Sequence, residues 1–400
     1  MKNFGKGYGR VAAVHARERA RTQSPNRGRL RAGVLRIVAV AFLAVLGVGV
    51  ASPAWAAPSV IATIPLPSVN GVGAHSLAVS PDGTKVYVTA DRDWLYVINV
   101  ADSVVGSPIQ VGNDVRGVAF RPDGSEAFTV DEGGYLSRID AVNDLWIDGN
   151  YTYAYTRSIA FSADGLRAYA TIGTCPGSLL GGLNGVIPVG CSPAGVAFTP
   201  NSERAYVTNR GDNTVTVINV ADDTFVGSIT VGSLPEGVAI TPDGAKAYVV
   251  NSGDNTVTVI NVADNMVLGL IQVGAGPLQV AISPDGTTAY VTNGNDGTVT
   301  VINVADNTVV GPPIQVGQFP RGVAFTPDGT KAYVANGWVG GVPSVTVIAT
   351  GLGAAPAPAP AGLLAATGAN APGLLAFAAA FTVVGVGIAT GARLRIIRQR

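Results

Sequence analysis

Most of the chain runs in short stretches of alternating apolar and polar residues, broken by Gly, Pro, Asn and Asp. In Thr214-Val215-Thr216-Val217-Ile218-Asn219 β-branched side chains dominate and nothing favours a helix, as expected of a half-buried strand. Four such segments fit one unit: 195–198, 205–209, 214–220 and 225–231. Residues 199–202 separate the first two. In four sister units this stretch is Ser/Thr-Pro-Asp-Gly, with Arg-Pro-Asp-Gly at 121–124 and Ser-Ala-Asp-Gly at 162–165. The tag predicts a tight hairpin: proline pre-sets φ, aspartate bonds nearby backbone and glycine takes φ > 0. Residues 209–213 and 221–224 turn the chain into the third and fourth segments.

The unit recurs. DNTVTVINVAD at 212–222 returns unchanged at 254–264, and with one substitution at 296–306, a spacing of 42 residues. The hairpin tag places Asp82, Asp123, Asp164, Asn201, Asp243, Asp285 and Asp328 at its third position, so there are seven units. Four antiparallel strands every ~40–45 residues, with no helical punctuation, predict an all-β, seven-bladed propeller. A linear solenoid would normally carry atypical capping ends. Here the seventh unit stops after its third strand, 344–350, while a spare strand at 60–65 precedes the first unit and resembles the fourth strands at 228–231 and 271–273. That N-terminal strand is expected to complete blade seven and close the ring without a large free edge.

Ala-Tyr-Val-Thr-Asn at 205–209, with its sisters at 247–251, 289–293 and 332–336, resembles the YVTN family of β-propeller repeats, as do the Gly-Val-Ala-Phe/Ile and Thr-Val-Thr-Val-Ile-Asn-Val strands. The resemblance covers about residues 59–350 and thins at 127–130 and 168–171. The family occurs in surface-layer and other secreted proteins and is related to propeller domains in some enzymes, so it implies a shape rather than an activity.

Both ends carry addresses. Ten Lys/Arg, an apolar run at 37–50 and Ala54-Trp55-Ala56 have the order of a secretory signal peptide over 1–56. The propeller is then expected at 57–350, followed by a Pro/Ala-rich linker at 351–363. Residues 364–400 contain Leu364-Ala365-Ala366-Thr367-Gly368, an apolar segment at 374–390, and Arg393, Arg395, Arg398 and Arg400. This three-part order resembles the sortase cell-wall sorting signal of high-GC Gram-positive bacteria. The resemblance implies a transpeptidase that recognises Leu364, Ala365 and Thr367, cuts before Gly368 and joins Thr367 to peptidoglycan. Before processing, the apolar segment would contact the membrane; unprocessed, it would remain a single-pass anchor. In both cases the propeller faces outward.

The equal totals of 26 basic and 26 acidic residues conceal an imbalance. Removing 1–56 and 368–400 takes away 14 bases and one acid, leaving 26 − 14 = 12 Lys/Arg against 26 − 1 = 25 Asp/Glu, a net of −13. Such a surface repels a phosphate backbone, so nucleic acid is not expected as a partner. Cys175 falls where a second strand turns to a third, and Cys191 in the connection from blade three to blade four. Those loops share one face, and a disulfide is expected there.

Little in the sequence suggests catalysis. His75 is the only histidine outside the leader. It is expected in a loop just before an inner strand at 76–79, making one hydrogen bond, with a general base as the alternative. No zinc spacing, phosphate loop or nucleophile elbow occurs, and no cofactor is expected. The recurring Asp82-type and Asp212-type carboxylates are read as turn formers. Calcium at Asp91/Asp93 or Asp131/Glu132 is a further alternative. Arg210-Gly211-Asp212 spells an integrin tripeptide but occupies a repeat turn. Binding is expected on the face carrying the fourth-to-first and second-to-third connections. The candidates there are Asp91, Asp93, Trp94, Tyr151, Tyr153, Tyr155, Arg321 and Trp338, with 114–116 and 131–135 nearby. Three tyrosines at alternate positions would share one side if extended, suiting a carbohydrate or protein ligand. A binding or surface-structural module is the leading expectation. A lactonase-like enzyme with a central metal or acid cluster, and a self-assembling surface layer, are the alternatives.

Overall fold

The computed structural model describes residues 57–353, except 68–72, 91–92, 152–154, 183–184 and 338–341. Within them the chain forms seven antiparallel sheets and no helix. Blade four is typical: Pro193–Phe198 is innermost, followed outward by Arg204–Asn209, Thr214–Asn219 and Thr224–Thr230. These bounds fall within two residues of those expected. The signal peptide over 1–56 and the sorting signal over 364–400, with Leu364, Ala365, Thr367 and Gly368, lie outside the described residues.

The inner strands Ala74–Val79, Val115–Phe120, Thr156–Phe161, Pro193–Phe198, Pro235–Ile240, Pro277–Ile282 and Pro320–Phe325 touch in sequence around an axis, and the last returns to the first. Blade seven takes its outer strand from the other end of the propeller, as expected. Ser59–Pro65 runs antiparallel to Ser344–Ala349, with Ser59 opposite Ala349 and Pro65 opposite Ser344. The outer strand is split in blade six, Thr308–Val309 and Ile314–Gln315, where Pro312 and Pro313 cannot donate to the ladder. It is also split in blade one, where a bridge from Val105 to Ile98 is followed after Pro108 by Ile109–Gln110.

Apolar residues gather between neighbouring blades rather than in one centre. Tyr206, Val215 and Val217 of blade four pack on Val238, Val249 and Ile260 of blade five. Each such side chain, removed from water, contributes about 1.5–3 kcal/mol.

The repeated motif is explained by bonds within and between blades. The threonine before the asparagine accepts the amide of its own inner strand: Gly195 N donates to Thr208 Oγ1 at 2.8 Å. The same hydroxyl donates to the carbonyl of Glu236 in the next blade, 2.5 Å away. Asn209 Nδ2 then donates to Thr214 and Thr216 on the third strand, and Asn251 and Asn293 repeat this on their own Thr-x-Thr pairs. The hairpin carboxylates have the turn-forming duty expected of them: Asp243 accepts from the Thr241 hydroxyl and the Ala245 amide. Asp212, Asp254 and Asp296 accept the amides of Cys191, Ser233 and Ala275, tying each second-to-third turn to the connection entering its blade.

Candidate functional site at the channel mouth

Every inner strand begins with a register irregularity against its partner, for example between Val115 and Gly117 and between Pro320 and Val323. Such a bulge leaves a residue outside the ladder and re-aims its side chain. The second residues of the seven inner strands are His75, Arg116, Arg157, Ala194, Glu236, Leu278 and Arg321, and all line one cavity of about 500 Å³. The residue after each is mostly glycine because the strands converge. A Cβ on Gly195 would stand 2.6 Å from the Glu236 carbonyl oxygen, and one on Gly117 would stand 2.9 Å from that of Arg157.

The charges here are unevenly matched. Arg116 Nη2 donates to Asp114 at 2.9 Å, and its Nε lies 3.2 Å from Glu132, paired by charge without an aligned hydrogen bond. Glu236 accepts from Arg210 Nε at 2.7 Å. Arg321 differs: it has no ion pair among the described residues, its buried Nε has no hydrogen-bond partner, and its guanidinium lies over the Phe319 ring, 4.9 Å from the centroid. Burial first, then the charge of Arg116, loosens its hold on the proton. Arg157, which is exposed, also has no ion pair among the described residues. Three of the twelve Lys/Arg within residues 57–367, a stretch with 25 Asp/Glu, thus meet at one opening. Arg157 and Arg321, whose guanidiniums touch no carboxylate among the described residues, are a ready receptor for an anion.

His75 is not in a loop. It is the second residue of Ala74–Val79, because that strand begins two residues earlier than expected and carries the same bulge. Its Nδ1 accepts from Arg116 Nη1 at 3.0 Å, which puts the proton of the neutral ring on Nε2. Burial, then Arg116 and Arg321, lower its pKa to about 3. A ring this weakly basic is a poor proton acceptor at neutral pH.

The other expected site residues scatter. Trp94 opens the third strand of blade one and packs on the core between blades seven and one, and the Asp93 carbonyl accepts the Val111 amide. Tyr151 ends the outer strand Leu145–Tyr151, with its ring edge-on to Tyr135. Tyr155 takes φ of 68°, so the tyrosines do not form one extended run. Asp91, Tyr153 and Trp338 lie outside the described residues. Both carboxylate oxygens of Asp131 accept backbone amides, from Asn113 and Tyr135, while Glu132 faces Arg116, so this pair does not form a joint cation cradle. Arg210 and Asp212 are both engaged by neighbours. Cys175 and Cys191 form a disulfide, with Cα atoms 4.4 Å apart.

For a central metal the donor set does not fit. Arginines occupy three of the seven channel positions, and among the described residues no three His, Cys, Asp or Glu side chains gather.

A family model described as "Lactonase, 7-bladed beta-propeller" matches residues 63–275, more than half of the 400-residue chain. The chain belongs to that family. No curated protein matches this lactonase-family chain. Among solved structures it resembles "Kuenenia stuttgartiensis Hydrazine Synthase", with 19% identity and a TM-score of 0.63 over 71% of this chain and 97% of the other. It also resembles a chain of "Crystal Structure of Mitotic Checkpoint Complex", with 15% identity and a TM-score of 0.64 over 73% and 91%. At these identities the lactonase-family chain shares a fold with them, and the likeness carries no activity across.

Proposed function

We propose that the chain is an exported binding module, displayed on the cell wall, whose working site is the arginine-lined channel mouth and whose ligand is a small anion. The observation that carries this is Arg321, a mostly buried guanidinium with its Nε unpartnered and no carboxylate in ion-pair contact, the charges of Glu236, Asp114 and Glu132 reaching it only from a distance. A buried, unpaired cation is costly unless something neutralises it. Display rests on the export signal and the sorting-signal resemblance. The ligand would be an extracellular metabolite or the charged end of a larger protein or carbohydrate.

Ring opening of a lactone is the second reading, favoured by the family match at 63–275. It needs a group to take a proton from water. Glu132 and Glu236 are held by arginines, and His75 is occupied by Arg116, so binding without turnover is the better supported reading. Calorimetric titration of the full chain with gluconate, beside pH-stat assay of its δ-lactone, separates the two. Saturable gluconate binding without lactone hydrolysis supports the module. Hydrolysis that collapses in Arg321→Met would transfer the site to the enzyme reading.

A further inference from the structure

We propose that the anion taken at the mouth is a small organic monocarboxylate with an apolar body, its charge against blades seven, two and three and its body against blades four and six. This rests on the anion-binding reading above and narrows it.

The mouth is two-sided. Arg321, Arg116 and Arg157 belong to blades seven, two and three, with His75 of blade one among them, so they form one continuous cationic arc. The remaining arc offers Ala194 and Leu278, carbon surfaces from blades four and six, and Glu236, neutralised by Arg210. Deeper in the cavity the same strands contribute Leu77, Val118, Ile159 and Val196, which are buried.

Ser76, Ser158 and Gln279 also line the cavity and can meet hydroxyls, but at Ala194 and Leu278 a hydroxyl would stand without a partner, whereas an apolar body there loses only water. On the charged side, Arg116 already carries Asp114 and Glu132. The open charge is therefore Arg157 and Arg321, and the nearby carboxylates repel a second negative charge on the ligand. A planar carboxylate also matches the guanidinium fork.

The rim supplies an independent hint. The residue just before each inner strand of blades two to seven has positive φ, and Gly276 shows that glycine suffices there. Yet Tyr155, Leu234 and Phe319 occupy the same place at φ of 68°, 51° and 50°. Bulky side chains kept in a left-handed conformation mark a site where strain serves something else.

The test is calorimetric titration of the full chain, in a mild nonionic detergent, with benzoate, benzamide, gluconate and inorganic phosphate. Benzoate is expected to bind about tenfold more tightly than gluconate or phosphate, and benzamide not at all. Leu278→Asn is expected to weaken benzoate about tenfold and so to narrow its preference over gluconate, whereas Arg321→Met weakens both. Gluconate or phosphate binding as tightly as benzoate would overturn the apolar body and leave the anion site standing. Failure of all three anions to bind would overturn both. Should Leu278→Asn melt early, the benzoate, benzamide and gluconate comparison on the unaltered chain still decides.

Discussion

The hydroxyl of Tyr206 leaves its own blade and donates to the side chain of Asn265, 2.6 Å away, in the outer hairpin of the next. Tyr248 does the same to Asn307 at 2.6 Å, Tyr87 to Asp144, and Tyr169 to Asp223. Each acceptor sits at φ between 57° and 60°, a conformation Asn and Asp tolerate. Where the neighbour offers no such residue, the pattern lapses. Blade two carries Phe128 instead, and it faces blade three, whose third and outer strands pair as far as Gly182 opposite Gly185. Tyr333 of blade seven is buried with its hydroxyl unpartnered.

That orphan hydroxyl predicts a stabilising change. Lys331 donates to the Val100 carbonyl just as Lys246 donates to that of Val304, so Ser103 stands where Asn307 does. Ser103 already has φ of 60° but is one group too short. Ser103→Asn should stabilise the propeller by about 0.5–1.5 kcal/mol. Thermal unfolding should show the gain vanish in a Tyr333→Phe background, which isolates the pair.

The fold was legible because the repeat is nearly exact in blades four to six and every local signal agrees with it: strand pattern, hairpin tag and spacing. The site was only half legible. The sequence points to Arg321 and the segment at 114–116, and Arg321 and Arg116 do line the channel cavity. The ring itself was missed, although a signal existed. The residue before each Gly-Val-Ala-type run is a slot that varies in chemistry from unit to unit, reading His75, Arg116, Arg157, Ala194, Glu236, Leu278 and Arg321. Alternation alone could not show that these face a channel, because a bulge there breaks the alternation. His75 was assigned to a loop for the same reason.

Stability should depend on His75 in a definite pH window. Unfolded, the ring takes a proton below its usual 6.5; folded, it refuses one until about 3. Its contribution is therefore complete above 6.5 and is lost as pH falls from 6.5 toward 3, at about 1.4 kcal/mol per unit. Carboxylates such as Asp164 and Asp243, held low by bonds from Ser162 and Thr241, act only below about 4. Calorimetric melts between pH 4.5 and 7 should fall with acid in the native chain and flatten in His75→Gln.

Reducing the Cys175–Cys191 bond, which closes a 16-residue separation, should cost about 3 kcal/mol in the chain-entropy view. Urea unfolding with and without reductant measures it. A Cys175→Ser, Cys191→Ser variant should match the reduced protein and ignore the reductant.

Deleting Ser59–Pro65 should do more harm than the loss of Ile64 from the core accounts for, because it uncovers Ser344–Ala349 along its length. The expected result is a lower, broader melting transition and concentration-dependent association by light scattering. A monomer melting as the full chain does would sink the closure argument.

If the wall-display proposal holds, mass spectrometry of muramidase-released fragments from a native-type host should find peptides ending at Thr367 with a peptidoglycan remnant. A tail running intact to Arg400 in the membrane fraction would leave a tethered propeller instead.

Ring closure also sets a condition on when this protein can exist at all. Ser59 and Ala349 are partners 349 − 59 = 290 residues apart, so the first strand made has no place until the last one arrives. Local hairpins can form early, but the step that shuts the ring is the most distant strand pairing among the described residues and must come late. A chain cut short anywhere before blade seven keeps an open, sticky edge, and only a complete one can hide it.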